Sequence, residues 1–136
     1  ISFRFAFDND GAEEHGTLLI PLAECISLGG NLMMAGAAQI AELQERGVVE
    51  GPLREAILEV GAFVAGALQS AVEVLGMIRV RVEFEGCQGV QPNVPPMLKY
   101  EEGAPLIVGR AALRMGANAP VQMVLVLPVA AMRAGA

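Results

Sequence analysis

The chain has 136 residues, of which 54% are hydrophobic but only 4% aromatic, and it carries a formal charge of −6. That length suits one domain with a core of its own, needing no disulfide or metal for stability. The cations Arg4, Arg46, Arg54, Arg79, Arg81, Arg110, Arg114 and Arg133 are scattered, which argues against nucleic acid as a partner, because phosphate binding needs them clustered. A basic patch on a protein partner suits an acidic chain of this kind. The cysteines, Cys25 and Cys87, lack metal-ligand spacing and are too sparse for a disulfide scaffold, so a reducing, cytoplasmic setting is the default. No uninterrupted apolar run reaches the ~18 residues of a membrane span. The chain starts at Ile1, inside a strand-like run and without an initiator methionine, and reads as a fragment of something longer.

The first seven residues alternate. Ile1, Phe3, Phe5 and Phe7 fall on one side and Ser2, Arg4 and Ala6 on the other, the pattern of a half-buried strand. A polar turn, DNDGAEEH, leads to a second strand, GTLLIPL, so the two are expected to form a hairpin. The next segment is helical but interrupted. Gly29, Gly30 and Gly36 each cost about 1 kcal/mol relative to alanine inside a helix, which predicts two pieces, 22–34 and 37–46, with Gly47 as the C-cap. Pro52 then stands where the first residue of a long helix belongs, and Gly76 ends it. In MIRVRVEFE, Ile78, Val80, Val82 and Phe84 alternate with Arg79, Arg81, Glu83 and Glu85, which predicts a strand. A proline-rich loop follows, with a short edge strand expected near residues 97–100. Two more strands, LIVGRAALRM and VQMVLVLPV, are joined by a turn at GANA. The order β-β-α-α-α-β-β-β predicts an α+β domain spanning 1–136, with a largely antiparallel sheet and its helices on one face.

The long helix carries the most informative pattern. On a wheel, Ile57, Val60, Phe63, Val64, Leu68, Val74 and Leu75 spread over a broad apolar side. An opposite arc of about 100° holds Glu55, Glu59, Ala62, Gly66, Gln69, Ser70 and Glu73. Such an arc is usually just the solvated face of an amphipathic helix. Its small centre, Ala62 and Gly66, flanked by carboxylates, is also a shape that another surface can approach closely.

Around this helix the sequence resembles the CheC/CheX/FliY family of bacterial chemotaxis phosphatases, which dephosphorylate the response regulator CheY. Members carry a helix with Asp or Ser, three residues, Glu, two residues and Asn, often followed by Ala-Gly. Here Glu59-Val60-Gly61-Ala62 takes that place and Ala65-Gly66 follows. HGTLLIPLAECISLGGNLMM resembles the family's strand followed by a helix, and VQMVLVLPVA its last strand, so the likeness runs from about Gly16 to Ala130. The resemblance implies that Glu59 is the residue that anchors the helix on a receiver domain beside its phosphoacceptor Asp. It also implies that the position of the water-orienting Asn is filled by Ala62. The preceding Asp-or-Ser position is Glu55, a second departure.

Hydrolysis of an acyl phosphate rests on positioning the attacking water. An amide can hold that water, whereas a methyl group cannot. Loss of one such group costs roughly 10²- to 10³-fold in rate. Gln69 shares the arc but lies about 10 Å along the axis from Ala62. The other helical segment shows no Glu-x-x-Asn, since Glu24 and Asn31 are seven apart. The expectation is a non-catalytic CheX-like domain that binds a receiver domain or a second copy of itself through Glu55, Glu59, Ala62, Gly66 and Gln69. Two alternatives stay open: an active phosphatase with a substituted site, and a flagellar-switch-like or signalling scaffold adaptor. No cofactor or metal is expected. His15, beside Glu13 and Glu14, reads as a solvated turn, and GGNLMMAG lacks the lysine of a phosphate loop.

Overall fold

The computed structural model describes the whole chain except residues 91, 92, 94, 97 and 134–136. Strands β1 (Ser2–Asn9) and β2 (Ala12–Leu19) form the expected hairpin. Its two-residue turn, Asp10-Gly11, has positive φ at both positions, the mirror-image turn whose twist matches that of the strands. The Asp8 carboxylate accepts a hydrogen bond from the Gly11 N–H at 2.8 Å. Helices α1 (Leu22–Leu32), α2 (Ala37–Arg46) and α3 (Gly51–Val74) follow, then β3 (Val80–Gln88), β4 (Leu106–Leu113), β5 (Val121–Pro128) and a short α4 (Val129–Arg133). All strand pairs are antiparallel, in the order β3-β1-β2-β5-β4. The domain is α+β, as the alternation and helical periods predicted. Gly47 ends α2 in the left-handed conformation and its N–H donates to the Leu43 carbonyl, the expected cap.

The core lies between the sheet and α1 and α3. Phe3, Phe5 and Phe7 on β1 and Leu18 on β2 meet Cys25, Ile26, Ile57, Val60 and Val64. Burying each such side chain contributes about 1.5–3 kcal/mol. β1 is more enclosed than a half-buried strand. Ser2 and Ala6, on the other side from the phenylalanines, are buried too, because β1 is flanked by β2 and β3, and Pro95, Pro96, Leu98 and Tyr100 line a space with Ser2 on the outer face. Tyr100 is tied to the sheet. Its hydroxyl approaches the His15 carbonyl at 3.2 Å and the Val126 carbonyl at 3.4 Å. Burial pushes the Tyr100 phenol up, opposed in part by its hydrogen bond with Thr17 and by nearby Arg4.

Several expectations need correction. Ile78 does not begin the strand: β3 starts at Val80, and Ile78 lies exposed in the preceding turn. Helix α1 ends at Leu32 rather than residue 34, where Met34 turns to positive φ. Leu98–Tyr100 form no strand, while Met97 lies outside the described residues. Phe63, Val74 and Leu75 are exposed rather than part of the apolar packing side of α3. Length and composition alone would also let α3 cross a membrane, with a mean hydropathy of 1.5 over an 18-residue window. The small residues that interrupt its apolar run do not break the helix. Leu53, Ile57, Val60, Val64 and Val72 bury one side of it within this domain.

Candidate functional site

Helix α3 is placed by a glycine. The Cβ that Gly61 lacks would fall within contact distance of the Phe84 ring. The backbone of α3 therefore rests directly on that ring. Phe84 in turn packs on Phe3 and Phe5, with ring centroids 6.0 and 5.5 Å away, in the tilted arrangements aromatic pairs favour. With Gly61 facing the sheet, its neighbours Glu59 and Ala62 point outward. Glu55, Glu59, Ala62 and Gly66 are all exposed, so the structure brings four of the five expected residues onto one open face. Along the axis Glu59 and Ala62 differ by about 4.5 Å. Arg54 lies 4.0 Å from Glu55 with both side chains mostly exposed, an ion pair of small energetic weight.

Gln69 does something else. Its side chain is half-buried, its Nε2 donates to the Val80 carbonyl at 3.0 Å, and its Oε1 accepts from the Val82 N–H at 2.8 Å. The amide thus serves the edge of β3 as a neighbouring strand would. It also donates to Glu73 Oε1 at 2.9 Å. Gln69 is a structural fastener between α3 and β3, not part of the open stripe. Sequence periodicity placed it on the correct arc but could not show that β3 comes back to meet that arc.

The residue that the sequence reading assigned to packing is Phe63. It is 58% exposed, next to Ala62 and one turn from Glu59. On the wheel it lies only about 20° beyond Ser70, and that closeness to the polar arc was the available signal. Gly66, Ala67, Ser70, Ala71 and Val74 continue the exposed side. The open face therefore has carboxylates at its N-terminal end and a small, largely apolar surface after them.

Comparison with protein families, curated proteins and solved structures finds no match for the chain. The chemistry of the face has to be judged from its own residues. Ala62 offers no group able to hold a water, and the nearest amide on the helix, Gln69, has both its oxygen and its nitrogen engaged.

A second polar group stands on the outer face of the sheet. His15 Nε2 lies 2.7 Å from Glu13 Oε1 and 3.2 Å from Glu85 Oε1, and Arg4 Nε lies 3.0 Å from the same Glu85 oxygen. His15, Glu13 and Glu14 were expected in a solvated polar turn, but they lie within β2, where His15 is half-buried, and alternation along the strand keeps Glu13 on the face of His15 and turns Glu14 to the opposite one. Glu85 takes its place from across the sheet, aimed by the bulge where β1 and β3 shift register and Gly86 adopts φ 135°. The ligand atoms of Glu13, His15 and Glu85 lie within 4.8 Å of one another, a set able to hold a cation. Arg4 pairs with Glu85 within the same group.

Proposed function

We propose that this chain is a CheX-like, non-catalytic binding module that docks the exposed face of α3 on a receiver domain in the cytoplasm. The observation that carries this reading is the state of Ala62. It stands exposed one turn beyond Glu59, where the resemblance calls for a water-orienting Asn, and no free amide on α3 can replace it. What supports docking is the rest of the face. Glu55 and Glu59 are outward and available to a cation on a partner, and Ala62 and Gly66 let a second surface come close. Phe63 adds apolar area of the kind that anchors interfaces. The same exposed Phe63 favours a second reading, in which two copies pair through this face.

The test is phosphate release from a phosphorylated receiver domain, timed with and without the protein. The wild type is expected to bind without accelerating release. Ala62→Asn is expected to create acceleration, up to the roughly 10²- to 10³-fold that one positioned polar group is worth. Acceleration by the wild type that disappears in Glu59→Ala would show an active phosphatase with a substituted site. Receiver binding that ignores Glu55→Ala combined with Glu59→Ala would point to the scaffold reading.

A further inference from the structure

The outer face of the sheet carries a cavity that the α3 reading does not use. It is an open hollow of about 550 Å³ beside Leu19, Val90, Val124, Arg110 and Gln122, with Ile1 and Pro21 also lining it. Ligand pockets for small molecules are typically about 300–1,000 Å³ and mostly apolar, with few polar groups fixing orientation. The strand register arranges this one in a row. Leu19 on β2 is opposite Val124 on β5, and Val124 is opposite Arg110 on β4. The three side chains therefore share one face, and adjacent strands are about 4.8 Å apart. From Arg110 to Leu19 the row spans about 10 Å.

Arg110 is the unusual member. It sits on an edge strand among apolar neighbours, and among the described residues no carboxylate pairs with it. The exposed guanidinium at the rim of an apolar hollow is open to an anion from outside a chain of net charge −6. Beyond Leu19 and Val90 a second cavity of about 340 Å³ continues along the face toward Thr17, Tyr100 and Val126. The space thus extends away from the cation and stays mainly apolar.

The geometry points to a binding site for a small carboxylate with an elongated apolar body, such as a medium-chain fatty acid. The carboxylate pairs with Arg110, whose fork of donors matches two carboxylate oxygens. The apolar body lies over Val124 and Leu19 and reaches toward the second cavity. This site is separate from the open face of α3, and its occupation does not depend on the receiver-docking reading.

Calorimetric titration of the whole chain with decanoate, below its micelle concentration, tests the assignment. Saturable one-site binding is expected for the wild type, weakened at least about 10-fold in Arg110→Gln, because a charge-assisted pair is lost. Decanol is expected to bind the wild type and Arg110→Gln alike, since it lacks the charge. Leu19→Asn, a partly exposed position, is expected to weaken both ligands while far-UV circular dichroism stays unchanged. Absence of saturable decanoate binding to the wild type would overturn the proposal. So would equal decanoate affinity in Arg110→Gln, or unaltered binding of both ligands in Leu19→Asn.

Discussion

A methyl group added at Gly61 would press on three atoms of the Phe84 ring, whereas one added at Gly66 would meet nothing within 4 Å. Both glycines lie inside α3, where alanine is intrinsically better by about 1 kcal/mol. Their replacement separates propensity from packing. Gly61→Ala is expected to destabilise the protein by about 1–3 kcal/mol, because forcing a side chain into a filled core outweighs the helix gain. Gly66→Ala is expected to stabilise it by up to about 1 kcal/mol. Urea midpoints at constant slope decide both, and two changes of the same sign would refute this account of how α3 sits. The residue scale also explains which part of the candidate site could be read in advance. Glu59 and Ala62 follow from spacing alone. Phe63 does not, because an aromatic residue at the border of a wheel is assigned to packing until the actual neighbour is known.

At the scale of elements, the clearest signals in the sequence were the periods of two and 3.6. They placed α2, α3 and the last strands to within a residue or two, and foresaw the hairpin but not its reach: the turn expected over residues 8–15 shrinks to Asp10-Gly11, and β2 runs Ala12–Leu19 instead of 16–22. They failed where an element ends or overhangs. Ile78 continues the alternation of β3, yet the chain is still turning there: the Met77 N–H donates to the Val72 carbonyl and the Gly76 N–H to the Glu73 carbonyl, closing α3. Alternation cannot register those helix-ending bonds. The C-terminal half of α3 runs along the outer edge of β3, and only Val72 remains buried after Ala65, so Val74 and Leu75 stay exposed. Gln69 is the link that holds this half in place. In Gln69→Ala the Val80 carbonyl and the Val82 N–H lose their side-chain partner, at a cost of about 1–3 kcal/mol where they are not rehydrated. Hydrogen exchange of the Val82 amide is the direct readout. Its protection is expected to fall well below that of Val60 and Val64 in the same variant, and unchanged protection would show that the edge of β3 holds without the amide.

At the scale of the whole molecule, the core accounts for a pH dependence that the surface charges do not suggest. Cys25 on α1 is fully buried, and that burial pushes its thiol up to about 12. In the unfolded chain the same thiol ionises near its ordinary value of about 8.5. Between those values the unfolded state releases its proton and the folded state keeps it. The unfolded state therefore binds fewer protons, and stability falls as pH rises. The contribution is fully present below the unfolded value and is lost at about 1.4 kcal/mol per pH unit above it. Cys87 and Tyr100, both raised by burial, add to the slope in the same direction. Urea unfolding from pH 8 to 11 is expected to show a progressive loss of stability. Cys25→Ala is expected to start lower, because it removes buried volume, but to fall less steeply with pH. The two effects separate cleanly, since the cavity left by the thiol lowers the whole curve while the lost ionisation changes only its slope. Parallel curves for the two proteins would mean that the thiol reaches water in the folded state and that α1 does not seal it beneath the sheet.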